Sequence, residues 1–120
     1  MVYVDVNELS SRFLSRERGH EAAEKLEDDY VDVERICINL DASDVVSLSF
    51  LDGLILALNQ KNMLTKVVFN TQKSDVLGKL SCIAGAREVA IYDASLTKIT
   101  PMLPKEEKLS FVKNKALLNV

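Results

Sequence analysis

"VERICINLDASDVVSLSFLDGLILAL", residues 33–58, contains a strand, a turn and a helix in immediate succession. Apolar side chains occupy both alternating positions of "VERICINL", which is typical of a central strand covered on both faces. The run that begins at Phe50 is apolar almost throughout and predicts a buried helix. A strand that leads directly into a helix indicates one unit of an alternating α/β sheet.

The segments on either side repeat this alternation. Upstream, residues 2–6 ("VYVDV") have the period-2 pattern of a strand near an edge, and residues 10–29 have an amphipathic helical pattern. Downstream, residues 66–70 ("KVVFN") and 88–93 ("EVAIYD") predict two further strands, which flank a helix over residues 74–86. Strands and helices therefore alternate from one end of this region to the other.

This order predicts an α/β fold in which helices pack on a four-stranded, largely parallel sheet. At 120 residues the chain fits one domain, 1–120, with its core between residues 2 and 93 and a carboxy-terminal extension over 94–120. Residues 105–120 predict a further helix, because several apolar residues recur there at helical spacing: Leu109, Val112, Ala116 and Leu117.

The expected helix ends follow from capping residues. Ser10 or Ser11 is placed to cap the first helix, and Ser74 to cap the third. Gly85 is placed to end the third helix. Gly19 falls inside the first helical pattern, where we expect it to bend or break the helix.

Composition favours a folded cytoplasmic protein. Apolar residues make up 48% of the chain and charged residues 28%, which is too apolar for a disordered protein. The longest strictly apolar run, Leu54 to Leu58, is far below the roughly 20 residues that span a bilayer. Residues 1–11 lack the features of a signal peptide. Cys37 and Cys82 have no metal-ligand spacing and are expected to be small buried hydrophobes.

The two halves of the chain differ in charge. Residues 1–60 carry a formal charge of −8 and residues 61–120 carry +5. The overall acidity, without basic and aromatic residues interleaved, disfavours nucleic-acid binding. A bipolar surface of this kind favours orientation of a partner or pairing of two copies as a homodimer.

The sequence contains no recognisable catalytic or cofactor motif. Its four glycines are scattered and form neither a P-loop nor a dinucleotide fingerprint. We therefore expect no cofactor, no metal and no enzymatic activity. The alternative is a phosphoryl-accepting or small-ligand site built on Asp41, Asp44 and Asp52, although the late lysine of a receiver domain has no clear counterpart here.

The turn of the opening stretch holds the candidate site. Ligands and partners of α/β sheets tend to bind where a strand ends and the next helix begins, and Ser47, Ser49 and Asp52 fall there. Ser49 and Asp52 have the spacing of a capping box. The helix that follows has almost no polar face, so either the carboxy-terminal segment or another protein is expected to cover part of it.

Four segments resemble the STAS domain of anti-sigma factor antagonists and sulfate transporters, and more closely the bacterial STAS-like domains. These segments are "SRERGHEAAEKLE", "RICINL", "DASDVVSLSFLDGLILAL" and "KVVFN", within about residues 10–93. In anti-sigma factor antagonists a serine of this loop is phosphorylated by a kinase that is also the anti-sigma factor, and Ser49 matches it. Ser47, Ser49, Phe50 and Asp52 match the STAS-like pattern, whereas Gly53 replaces its acidic residue.

The resemblance implies a non-enzymatic regulatory domain that binds a protein partner, namely a histidine-kinase-like ATPase or anti-sigma factor. It implies Ser49, with Ser47 as a second candidate, as the phosphorylated switch. Phe50 and Leu51 are then the apolar anchors for the partner, and Asp52 and Asp44 belong to the docking surface. Carboxylates near Ser49 are expected to repel an added phosphate. A self-associating module without phosphorylation is the alternative function.

Overall fold

The structure is a computed structural model that describes residues 1–102 of the chain. These residues form a four-stranded sheet with three α-helices between successive strands, which confirms the predicted α/β fold. The strands are β1 (Val2–Asp5), β2 (Ile36–Asn39), β3 (Val67–Asn70) and β4 (Tyr92–Asp93). The helices are α1 (Arg16–Tyr30), α2 (Leu48–Gln60) and α3 (Ser74–Arg87), with short 3₁₀ turns at Val6–Glu8, Leu40–Ala42 and Leu64–Lys66. The helix predicted over residues 105–120 lies outside the described residues.

The strands lie in the sheet in the order in which they occur in the chain, β1-β2-β3-β4, and every neighbouring pair is parallel. Right-handed crossovers that always step in the same direction place all the connecting helices on one face of a sheet. The core agrees with this, because one alternating set of strand residues is buried in the same cluster as the inner faces of α1, α2 and α3. That set is Val4, Ile36, Ile38, Val67 and Phe69, and Ile91, which directly precedes β4, is buried with it.

The other alternating set of strand residues points away from the helices. Tyr3, Cys37, Val68 and Tyr92 lie side by side in register across the four strands. Cys37 and Val68 are only 2% and 1% exposed, yet neither belongs to the core cluster. Tyr3, on the edge strand, is 76% exposed. Cys37 is buried as predicted, whereas Cys82 is only half-buried.

Helix α1 begins later than predicted. Its N-cap is Ser15, whose hydroxyl accepts a hydrogen bond from the Arg18 N–H at 3.1 Å. Ser10 instead makes a local turn with Arg12, so the preceding segment is not helical. The sequence alone does not show which of these serines caps the helix, since each is an acceptable N-cap residue.

Helix α3 also runs past its predicted end. Glu88, in the left-handed region at φ 55°, ends the helix instead of Gly85. Gly85 has a different role, because a Cβ at this position would overlap the carbonyl oxygen of Met102. Strand β4 is limited to Tyr92–Asp93, which is shorter than the predicted strand.

Helices α1 and α2 cross in backbone contact through one glycine from each. A Cβ on Gly19 would overlap the carbonyl oxygen of Phe50, and a Cβ on Gly53 would overlap that of Arg16. Gly19 therefore allows close packing within a helix that runs unbroken from Arg16 to Tyr30, and the predicted break is wrong. The contact also explains the apolar character of α2, since the sheet covers one side of the helix and α1 another.

Candidate functional site at the start of helix α2

Residues 43–49 run from the short turn after β2 into the first two residues of helix α2, and we call this segment the loop of residues 43–49. Ser47 is the N-cap of this helix, because its hydroxyl accepts a hydrogen bond from the Phe50 N–H at 3.0 Å. The Ser47 N–H in turn donates to the carbonyl oxygen of Phe13 at 2.9 Å. The predicted capping by Ser49 is therefore wrong. The sequence spacing permits either Ser47 or Ser49 to cap the helix, and only the backbone conformation shows which serine does so.

Ser49 is the second residue of the helix and lies exposed at the surface. Because Ser47 performs the capping, the Ser49 hydroxyl is not needed to start the helix. Its position in the first turn places it near backbone N–H groups that have no partner within the helix. The Ser49 side chain is thus open to solvent.

Phe50 and Leu51, which we expected to anchor a partner, are completely buried. The ring of Phe50 packs edge-to-face on Phe13, with centroids 5.5 Å apart. Their burial corrects the prediction, because neither side chain has surface to offer. The exposed apolar residues of the loop are instead Val45, at 59% exposure, and Leu48.

Two lysines bind the backbone of the loop: Lys73, the N-cap residue of α3, and Lys79, within α3. Lys73 Nζ donates to the carbonyl oxygens of Ser43 and Asp44, each at 3.2 Å. Lys79 Nζ donates to the carbonyl oxygen of Val46 at 2.9 Å. Asp44 itself is exposed, consistent with a place on a docking surface. These contacts hold the backbone of the loop, while Val46 is buried and the side chains of Asp44, Val45, Leu48 and Ser49 are exposed.

Asp52 is neither a capping residue nor a surface residue. It is 6% exposed, and its carboxylate is bound by two arginines from other helices. Arg16 of α1 donates to Oδ2 through Nε at 3.1 Å and Nη2 at 2.7 Å. Arg87 of α3 donates through Nε to Oδ1 at 3.0 Å and through Nη2 to Oδ2 at 2.8 Å. This cluster, which we call the arginine clamp, joins all three helices.

The arginine clamp changes the ionisation of Asp52. Burial by itself would raise the pKa of this carboxyl, but the hydrogen bonds and charges of Arg87 and Arg16 outweigh it, so the pKa is lowered. The same contacts raise the pKa of Arg87. Asp52 is therefore ionised at neutral pH, and the clamp of two cations and one anion carries a net charge of +1.

The clamp also alters the electrostatics expected at Ser49. Residues three apart on a helix have Cβ atoms about 5–6 Å apart, so Ser49 lies one turn from Asp52. The negative charge of Asp52, one turn from Ser49, is thus offset by its two arginines. Sequence reasoning missed Arg16 and Arg87. An aspartate within an apolar run signals that a cation must be nearby, but it does not identify the cation.

Asp41, in the turn after β2, binds the residues that directly follow β3. Its carboxylate accepts hydrogen bonds from the Thr71 hydroxyl and the Gln72 N–H, both at 2.6 Å. Burial acts to raise the pKa of Asp41, but these bonds and the charge of Lys73 lower it overall. Asp41 and Asp52 therefore bind different partners and do not share a pocket. Within residues 1–102, no group of histidine, cysteine and acidic side chains is arranged to hold a metal ion.

A shallow cleft of about 180 Å³ lies at the carboxyl ends of β3 and β4, beside the loop that follows β3. It is bounded on one side by Asp93, whose carboxylate accepts from the backbone N–H groups of Ser95 and Thr97. Crevices that bind ligands in α/β sheets form where the strand order reverses, and the order β1-β2-β3-β4 has no reversal. None of the helices described in residues 1–102 has both the length and the apolarity required to cross a membrane.

Comparison with known proteins identifies no relative. The sequence matches no protein-family model, no curated protein is significantly similar to it, and no solved structure matches it. The resemblance to STAS domains stays a prediction.

Proposed function

We propose that this chain is a non-enzymatic regulatory domain that binds a protein partner through the loop of residues 43–49. The observation that carries the proposal is the combination of exposed Val45 and Leu48 with a backbone fixed by Lys73 and Lys79. A surface that is already ordered costs little conformational entropy when a partner binds. Apolar side chains on such a surface supply the contact area.

Ser49 is the proposed switch of this surface. It is exposed and adjacent to Leu48, so a phosphate on its hydroxyl would place about −1.5 to −2 charges beside the apolar contact. Such a charge disrupts an apolar interface through its cost of desolvation. The arginine clamp, one turn away, offsets the charge within the domain itself. The modification would thus change partner binding with little effect on folding.

The partner class implied by the resemblance is an ATPase of the histidine-kinase type that acts as a kinase or anti-sigma factor. Asp44 and Arg16, at the margins of the apolar surface, supply charges of both signs for its recognition. Ser47 is the less suitable phosphorylation candidate, because its hydroxyl caps α2 and its N–H binds Phe13.

Capture experiments with matched variants test this proposal. Tagged chains are expressed in the native cell, cross-linked and purified, and captured proteins are identified by mass spectrometry. Val45→Asp is expected to weaken capture of the partner about tenfold, equal to about 1.4 kcal/mol. Val31→Asp is the control, because Val31 is 60% exposed and lies at the far end of α1, next to the amino ends of the strands. Equal capture by both variants would exclude the loop as the docking site.

The same experiment tests the switch. Ser49→Asp is expected to weaken capture about tenfold, whereas Ser49→Ala preserves it. Ser74→Asp is the control, since Ser74 is an exposed serine in the first turn of α3. Intact-mass analysis of the wild-type chain purified from its native cell then shows whether phosphate is present. If Ser49→Asp and Ser49→Ala bind equally, the serine does not act as a switch.

Self-association is a second candidate, favoured by the sheet order. Because the strands lie in chain order, residues 1–60, with a formal charge of −8, and the described residues 61–102, with six basic and three acidic side chains and so +3, lie toward opposite edges of the sheet. The charge difference in the sequence thus becomes a charge difference in space, and two copies can place acidic and basic sides together.

A further inference from the structure

Leu14 extends the apolar surface of the loop of residues 43–49. Its side chain is 67% exposed, although the preceding Phe13 packs its ring on Phe50. The Phe13 carbonyl oxygen accepts a hydrogen bond from the Ser47 N–H at 2.9 Å, so the chain at Leu14 runs beside the start of α2. Two segments of the chain therefore expose apolar side chains at this end of α2. These side chains, which we call the apolar patch, are Leu14, Val45 and Leu48.

Arg16 borders the apolar patch. It lies two residues after Leu14, and it binds Asp52, which is one helical turn after Leu48. The Arg16 side chain is still 54% exposed. Its Nε and Nη2 donate to Asp52, and Nη1 has no acceptor among residues 1–102. Because a guanidinium has five N–H donors in a planar fork, Arg16 has donors left for a second carboxylate.

The sequence around Leu14 is basic within an acidic half of the chain. Residues 10–16 ("SSRFLSR") contain two arginines and no acid, whereas residues 1–60 carry a formal charge of −8. Arg12 is exposed, and its side chain forms no ion pair within the part of the chain that the structure describes. A partner that covers Leu14 thus brings its own groups close to two guanidinium groups. Carboxylates compensate those charges, while basic groups are repelled.

We propose that the apolar patch and Arg16 bind an acidic peptide segment of the partner. Apolar side chains of that segment cover the patch, and one of its carboxylates pairs with Arg16. The inference rests on the proposed docking at the loop of residues 43–49 and specifies the chemistry of what docks there. Asp52 holds the Arg16 guanidinium in place before binding, which reduces the entropy cost of the new ion pair. A phosphate on Ser49 would repel the carboxylate of the partner, in the direction required of the switch.

Peptide display tests the apolar part of the proposal. Random peptides are selected on the full-length chain, and we expect the enriched peptides to combine Asp or Glu with large apolar residues. Binding of a synthetic copy is then measured by fluorescence anisotropy. Leu14→Gln is expected to weaken it about tenfold, because the contact area of the leucine is lost. Leu77→Gln is the control, since Leu77 is an exposed leucine of α3.

A double-mutant cycle tests the ion pair. Arg16→Gln in the domain and Glu→Gln in the peptide are each expected to weaken binding about tenfold. The two changes together should weaken it little more than either one, because both remove the same ion pair. A purely structural role of Arg16 in the arginine clamp would give additive effects instead. Lys25→Gln, at an exposed position of α1, is the control for loss of a positive charge.

Three results would overturn the inference: no enrichment of acidic peptides, additive effects in the cycle, or unchanged binding by Leu14→Gln. The Leu14 variant keeps the test decisive if Arg16→Gln does not fold. Failure here differs from failure of the proposed function. If Val45→Asp weakens capture of the partner but Leu14→Gln and Arg16→Gln do not, the docking loop is retained and the acidic peptide is rejected. If Val45→Asp has no effect, the loop itself is rejected.

Discussion

Asp52 shows how one buried carboxylate organises the helical layer. Two arginines from different helices bind both of its oxygens, while each guanidinium remains partly open to solvent. Removing one partner of a fully buried pair costs about 3–5 kcal/mol, and exposure of the other partner reduces that cost. The carboxylate therefore stabilises the arrangement of α1, α2 and α3 more than it stabilises any single helix.

Asp52→Asn is expected to lower the free energy of unfolding by about 2 kcal/mol at neutral pH. Because the pKa of Asp52 is lower in the folded chain than in the unfolded chain, its contribution is complete above about pH 4. This contribution to stability is lost as the pH falls through the lowered pKa that Asp52 has in the folded chain. Urea unfolding at neutral and acid pH measures this, and the gap between wild type and variant should narrow in acid. Asp44→Asn, which removes an exposed carboxylate, should change stability by less than about 0.5 kcal/mol. A gap that stays constant with pH would contradict the assignment.

At the residue scale, the sequence predicts the strand-to-helix turn more reliably than it predicts the structural roles of the residues in it. The strand-to-helix turn and its serines were located from pattern. The burial of Phe50 and Leu51 was not predicted, because an apolar residue in the first turn of a helix can face either the core or solvent. Arg16 and Arg87 lie 36 and 35 residues from Asp52, and no local spacing connects them.

At the scale of elements, the close crossing of α1 and α2 determines how these helices are arranged on the sheet. Gly19 and Gly53 bring the two backbones together, which places the first turn of α1 beside the second turn of α2. Arg16 thereby comes within hydrogen-bonding distance of Asp52. The close crossing and the arginine clamp therefore depend on each other.

Gly53→Ala is expected to destabilise the fold, although alanine is the better helix former. The added Cβ would overlap the Arg16 carbonyl, and crowding of this kind costs about 1–3 kcal/mol. That cost offsets the roughly 1 kcal/mol by which alanine favours a helix over glycine. Gly78→Ala is the matched control, since no atom of a neighbouring group lies within 4 Å of the added Cβ. The control should raise the free energy of unfolding by about 0.5–1 kcal/mol, and a gain of that size at Gly53 would show that the helices do not cross there.

At this scale, hydrophobic periodicity predicts the existence of each element and leaves its ends uncertain. The β-branched runs gave β2 and β3, and the long apolar run gave α2. The N-cap of helix α1 is Ser15 instead of Ser10 or Ser11, because the three serines are equally good N-cap residues by type. Strand β4 was shortened to Tyr92–Asp93, since pairing with β3 decides its length and the sequence does not encode pairing directly.

At the scale of the whole molecule, the strand order sets where each surface lies. Sequential parallel strands put the described helices on one face and place the acidic residues 1–60 and the basic residues 61–102 toward opposite edges of the sheet. The alternation of strands and helices predicted a parallel sheet. It could not predict the order of the strands, because a doubly wound sheet has the same alternation.

The separation of charge predicts association that depends on salt. If two copies pair acidic side to basic side, light scattering should detect a dimer at about 0.01 M salt, where the Debye length is about 30 Å. The dimer should dissociate at about 1 M salt, where that length is about 3 Å. Apolar association behaves in the opposite way, since added salt does not weaken it. Lys98→Glu, at an exposed position beside β4, should weaken a charge-driven dimer, whereas Asp28→Glu should not, because it conserves charge on the acidic side. A mass that stays monomeric at low salt excludes self-association by charge and leaves the loop of residues 43–49 as the proposed binding surface.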